Sequence, residues 1–196
     1  MDESIAEVIL LIGLAVDYAI QFQAGNSRRV IATALEEDLR YGADATTAAT
    51  VPADAVAVAE LTPRAAGVLA GIPVALEVFR QVTDVEVLEE RRDGDKAVPG
   101  EPALVLRGPV RGLLTAERTA LNLLCHLSGI ATATRRWVDA VAGTGVTVRD
   151  TRKTTPLLRS LEKYAVRCGG GSNKRMGLYD VAMVKDNHVA AAGSVA

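Results

Sequence analysis

Cysteine and histidine are scarce in this 196-residue chain, with two of each. Cys125 and Cys168 stand far apart in no CxxC or metal-ligand spacing, which argues against a disulfide framework or a thiolate metal site. Both read as reduced, buried thiols of a cytoplasmic protein. Two histidines are too few for a multi-histidine metal centre, and His126, inside an apolar helical stretch, reads as a satisfied core side chain. Aromatic residues make up only 4%, so the basic segment near the end has just Tyr164 and Tyr179 for stacking, and nucleic acid is a poor fit. Net charge is also small, formally -2, so no global field draws nucleic acid or an anionic membrane, and any anion site must be local. The apolar run Val8 to Val16 falls short of the roughly 20 residues that span a bilayer. Acidic Asp2, Glu3 and Glu7 precede it and Asp17 interrupts it, which argues against a secretory signal and a membrane role.

What is present is a composition that can bury a core: 49% hydrophobic and 23% charged, fitting one large or two small globular domains. Val30, Ile31, Ala34, Leu35 and Leu39 recur at helical spacing between Ser27 and Leu39, and Gly42 ends that helix. Ala55 to Leu61, Asp84 to Arg91 and Pro102 to Arg107 read as strands, residues 66–71 as a tight return, and Pro73 to Gln81 as a short helix. The spacing predicts a long helix capped by Thr115, beginning at Ala116 and running to Val141 with a break near Gly129. The whole reads as an antiparallel α+β domain.

After Gly143 and Gly145 the pattern changes. Gly145 to Asp150 is a short β-rich run, Thr155-Pro156 predicts a cap and first helical position, and Gly169 stops the helix. Leu157, Leu158, Leu161, Tyr164 and Ala165 mark its apolar face, and Val181 to Val184 read as the next strand. This predicts a β-α-β unit, the building block of parallel sheets and α/β barrels.

Cations gather on that unit. From Arg149 to His188 there are nine basic residues against four acidic ones. Arg159, Lys163 and Arg167, on the helix, read as a solvated face. Arg152 and Lys153 follow the first strand, Lys185 ends the second, and Lys174 and Arg175 sit in a glycine-rich loop between them, GGGSNKRMG. Ligands of parallel α/β folds bind beyond the carboxyl ends of strands, and converging cations there repel one another unless an anion joins them. With no Ser-His-Asp set, carboxylate pair or phosphate-binding glycine motif in view, the residues predict an α/β enzyme that handles carboxylates and phosphates through arginine forks and lysine charges.

Four stretches carry a resemblance: EDLRYGADATT (37–47), LLTAERTALNLLCHLSGIATAT (113–134), VRDTRKTTPLLRSLEKYAVRCGGGSNKRMGL (148–178) and VKDNHVAAAGSV (184–195). Together they resemble the decarboxylating quinolinate phosphoribosyltransferases. The resemblance implies transfer of phosphoribose from 5-phosphoribosyl-1-diphosphate to quinolinate with Mg2+, releasing diphosphate and carbon dioxide and giving nicotinate mononucleotide for NAD biosynthesis. It implies an α/β fold, an N-terminal sandwich over 28–142 and the first part of a barrel over 143–196, in a cytoplasmic homodimer with shared active sites. Arg118 resembles the arginine given across the dimer interface. Thr151, Arg152, Lys153, Lys174, Arg175 and Lys185 resemble the substrate pocket, with Lys153 and Lys185 in catalytic roles and no metal ligand among them.

Lys174 stands where the family usually has histidine; lysine keeps a charge but loses a planar donor that titrates near neutrality, so binding is expected to survive better than rate. The barrel is expected to stop after about two strands, and the chain alone to be inactive. A related phosphoribosyltransferase acting without decarboxylation, and a non-catalytic fragment that binds anions or dimerises, are the alternatives. Residues 13–23 (GLAVDYAIQFQ) resemble a membrane helix of resistance-nodulation-division exporters, and residues 1–27 read as an atypical, foreign leader.

Overall fold

Helical periodicity after Ser27 produces the first element of the computed structural model, which describes residues 27–194. The leader expected over 1–27 lies, up to residue 26, outside the described residues. Helix α1 (27–39) turns Ile31 and Leu35, one helical turn apart, into the core. Helix α2 (Ala45–Thr50) follows, its first turn closed by Asp44, whose Oδ1 accepts the Thr47 N–H at 3.0 Å.

Three strands form an antiparallel sheet in the order β1 (Val56–Leu61), β5 (Leu104–Pro109), β3 (Glu86–Glu90). The register runs from Val56 opposite Pro109 to Leu61 opposite Leu104, and a bulge between Val87 and Glu89 interrupts the other edge. The central strand is apolar because it is covered: Leu104, Val105 and Leu106 are all buried. Two very short strands, β2 (Gly67–Val68) and β4 (Lys96–Ala97), pair separately; β2 falls within the stretch 66–71 that reads as a tight return in the sequence.

Helix α3 (Ile72–Val82) buries Ile72, Val74, Ala75, Leu76, Val78 and Phe79 against helix α4 (Val110–Ala140). The start of α3 needs a glycine. Gly71 has φ +99°, and a Cβ there would meet Leu127 of α4. Asp93 takes over the cap, accepting the Gly71 and Ile72 N–H groups at 2.9 Å each. Helix α4 is longer than expected. It begins at Val110, six residues before the predicted start, and runs through Gly129 without a break. Its partners explain the continuity: Ser128 Oγ both accepts from Ala70 N–H and donates to Ala70 C=O, and Thr132 Oγ1 accepts the Val68 N–H at 2.9 Å. Those two hydroxyls, four residues apart on one face, satisfy backbone groups of Val68 and Ala70 on either side of Gly129.

The later segment departs further from expectation. Residues 145–150 and 181–184 are not strands; among the described residues the only parallel pairing there is a single bridge between Arg149 and Ser172. Val181, Met183 and Val184 are exposed, so they have no sheet neighbour to define an extended ladder. Thr155-Pro156 does not start a helix either. Thr155 to Leu158 form a turn, Leu157 is exposed with φ +70°, and helix α5 (Arg159–Cys168) begins after it. Helix α6 (Asp186–Ala192) ends the described chain. The fold class is α/β, with no closed barrel among the described residues. Among the described residues no helix is long and apolar enough to cross a membrane.

The glycine run after α5 is not loose. Gly169 is buried where a Cβ would strike the Ala131 carbonyl and Thr134 of α4, and Gly170 has φ +88°. Close approach of α4 and α5 therefore requires the first glycine and the turn requires the second. Gly169→Ala is expected to destabilise the protein by about 1–3 kcal/mol, the usual cost of overpacking, read as a lower urea midpoint with an unchanged slope.

Candidate active site

The site is organised around one carboxylate. Asp150 lies in the segment that leads out of the Arg149–Ser172 bridge, and its side chain is 7% exposed. Its Oδ1 accepts Lys163 Nζ at 2.5 Å and the Lys174 N–H at 2.7 Å; its Oδ2 accepts Asn173 Nδ2 at 2.6 Å. Asn173 Nδ2 also donates to the Lys163 carbonyl at 2.8 Å, and Lys163 Nζ reaches the Lys174 carbonyl at 3.3 Å. Four residues from two loops and a helix thus close a network in which each donor nitrogen has at least one acceptor. Lys163 is 1% exposed. The helix cations therefore do not form a solvated face: Lys163 is buried in an ion pair, and Arg159 donates to Thr154 Oγ1 and to the Met176 carbonyl. Arg167 alone of the three is exposed, its guanidinium 5.6 Å from the centre of the Tyr164 ring.

This network brings loop 151–153 beside loop 173–175. Thr151 Oγ1 accepts the Lys153 N–H at 3.1 Å, which turns the loop and leaves Lys153 exposed. Arg152 is half-buried, and its Nε is buried with no hydrogen-bond partner. Lys174 is exposed, while Arg175 donates from Nη1 to the Val181 carbonyl at 2.8 Å. Lys185 precedes α6, exposed, with its N–H donated to His188 Nδ1. Arg118 stands apart. It is exposed on α4 in a separate groove of about 1480 Å³ walled by Leu61 to Leu69, Pro99 and Leu121, and none of the other candidates lines that groove.

His126 is not a core side chain. It is 41% exposed on α4, with Nε2 2.9 Å from Glu162 Oε1 on α5. Burial raises the pKa of the Glu162 carboxyl, but hydrogen bonds from Thr155 and the His126 ring outweigh it and hold the carboxyl below its ordinary value. Cys125 is exposed and free, contrary to its buried reading, and Cys168 is half-buried. Burial, with the Asp93 charge adding to it, pushes the Cys168 thiol up to about 11, which keeps it protonated and unreactive near neutrality. Burial and the same carboxylate raise the phenol of Tyr164, whose O–H donates to Asp93 Oδ2 at 2.7 Å.

Two family models match the chain: quinolinate phosphoribosyl transferase, N-terminal domain, over residues 44–128, and its C-terminal domain over 130–196. The chain belongs to the quinolinate phosphoribosyltransferase family. It is 58% identical over 86% of its length to nicotinate-nucleotide pyrophosphorylase [carboxylating] of Mycobacterium leprae, spanning 61% of that protein. It is 41% identical over 85% of its length to quinolinate phosphoribosyltransferase [decarboxylating] 1b of Nicotiana tabacum, spanning 47% of it. Among solved structures, NadC from Streptococcus pyogenes superposes with a TM-score of 0.79 at 45% identity, over 85% of this chain and 59% of that one. The chain thus spans between about half and three fifths of these relatives.

In this member of the quinolinate phosphoribosyltransferase family, sequence reasoning missed Asp150, Asn173, Glu162 and the buried state of Lys163. No local pattern marks them: α5 is buried at 160, 161, 162, 163 and 165 with Arg167 left exposed, and burial at 162 and 163 is set by the segments packed on the helix. Lys163→Met, which strands the Asp150 charge, is expected to cost about 3–5 kcal/mol in urea unfolding, whereas Lys153→Ala changes stability by less than about 0.5 kcal/mol. Glu162, its folded pKa depressed, adds stability that is complete above its unfolded value near 4.5 and is lost as pH falls through the lower folded value. Acid titration of Glu162→Gln is expected to show a shallower loss of stability below about pH 4.5 than the unsubstituted chain.

Proposed function

We propose that this chain binds quinolinate in the loops joined at Asp150, as part of a phosphoribosyltransferase that converts quinolinate and 5-phosphoribosyl-1-diphosphate into nicotinate mononucleotide, diphosphate and carbon dioxide. The observation that carries the reading is Arg152: a buried guanidinium nitrogen without a partner, beside exposed Lys153 and Lys174, is a donor that a bound carboxylate would satisfy. Arg152, Lys153 and Lys174 hold the two ring carboxylates, Thr151 shapes the loop, and Arg175 and Lys185 extend the positive wall. Fixed charges of this kind act by orienting the ring and stabilising charge as it shifts. The ring nitrogen's lone pair forms the bond to the sugar's anomeric carbon while diphosphate leaves with the electrons of the bond it breaks. The carboxylate beside the quaternary nitrogen then departs as carbon dioxide, its electron pair stays on the ring carbon, and a proton takes its place. We assign Lys153 and Lys185 to that charge stabilisation.

Arg118, remote from the other candidates, suits service to a second copy of the chain, and with it go the homodimer, the cytoplasmic setting and the division into 28–142 and 143–196. Magnesium accompanies the diphosphate substrate in this reading. Among the described residues no group of three or more His, Cys, Asp or Glu side chains fits a metal ion.

Calorimetric titration tests the reading. Quinolinate is expected to bind at least about tenfold tighter than nicotinate, which lacks the second carboxylate, and Arg152→Ala to erase that preference. Equal affinity for the two acids would point instead to a non-decarboxylating relative. Lys174→His is expected to change quinolinate affinity by less than about threefold, since a donor remains in place.

A further inference from the structure

Thr151 to Thr154 form a four-residue loop whose two ends are held by neighbouring residues of α5. At one end Lys163 takes Asp150, at 2.5 Å. At the other, Glu162 Oε2 accepts the Thr155 N–H at 3.2 Å, and Arg159 Nε donates to Thr154 Oγ1 at 3.1 Å. Glu162 and Lys163 are 8% and 1% exposed, so on the α5 side both contacts are made by buried groups. The remaining Glu162 oxygen faces His126 on α4 at 2.9 Å, which ties the arrangement to a second helix. A short loop carrying two free cations would otherwise spread them apart by mutual repulsion.

We infer that Glu162 and Lys163 are a pair of positioning residues that clamp loop 151–154 at both ends and present Arg152 and Lys153 at one fixed spacing, with His126 as the outer anchor. This rests on the quinolinate-binding reading above for its consequence, and on the side-chain and main-chain contacts just given for its geometry. Lys163 fixes the loop's entry through a charge; Glu162 fixes its exit through a main-chain hydrogen bond. Because a glutamine oxygen can accept the same N–H, the exit contact depends on an acceptor at position 162 more than on its charge.

Hydrogen exchange of the full 196-residue chain, read by mass spectrometry over residues 150–157, separates this from a general packing role. Glu162→Ala is expected to speed exchange there on the order of tenfold while α5 itself stays protected, and to weaken quinolinate binding by a similar factor. Glu162→Gln is expected to restore both to within about threefold. Should Glu162→Ala fail to fold, His126→Ala, at a half-exposed position, is expected to speed loop exchange about threefold. Unchanged exchange over 150–157 in the folded variants would overturn the clamp, as would uniform loosening of α5 and loop together, or faster loop exchange with unaltered quinolinate affinity. A chain that fails to bind quinolinate without any substitution would overturn the function proposed above, and the exchange pattern by itself would then decide whether the loop is held.

Discussion

The ion pair between Lys163 and Asp150 is the contact on which the site's geometry depends. Removing both charges from water is expensive, and their attraction offsets the cost only when the remaining donors and acceptors are met. Here they are: Asp150 receives Asn173 and the Lys174 N–H as well as Lys163, and Lys163 also reaches the Lys174 carbonyl. A polar network completed in this way is worth more as a specification than as a source of stability. It allows one relative placement of the two loops. An apolar pair of similar volume would have bound them with equal strength and less precision of angle, because dispersion has no direction.

Around this centre the protein separates cations by duty. Lys163 is buried and Arg159 half-buried, bonded to Asp150, Thr154 and the Met176 carbonyl. Lys153, Lys174 and Lys185 are exposed, and Arg152 keeps a buried nitrogen unsatisfied. The first set holds shape and the second leaves its charge available. Nine basic side chains in one segment therefore do not make one uniform positive field; part of that charge is neutralised in place before any ligand arrives.

Much of the fold was legible in the chain, and for reasons tied to particular residues. Strands β1, β3 and β5 and helix α3 follow from periodicity and turn residues, which are local signals. The start of α4 was misplaced because Thr115 looked like a cap, whereas the helix begins at Val110 straight after strand β5 with no side-chain cap at Pro109. The β-rich readings of 145–150 and 181–184 failed because a strand is defined by its neighbour, and the described residues supply only one bridge. Within the site the exposed cations were readable from motif and position. Asp150, Asn173 and Glu162 were not, since their role consists of contacts with residues 7 to 36 positions away, and no local pattern records those.

Helix α4 runs 31 residues without interruption, from the sheet to the turn before residue 145, and it carries Arg118 and His126 eight positions apart. Eight residues of α-helix separate them by about 12 Å and fix their relative bearing. Because no hinge divides the two positions, the groove at one and the clamp at the other are locked in rotational phase. A single residue inserted between them would turn one end against the other by about 100°, so this stretch of the gene can tolerate substitutions far more readily than changes of length.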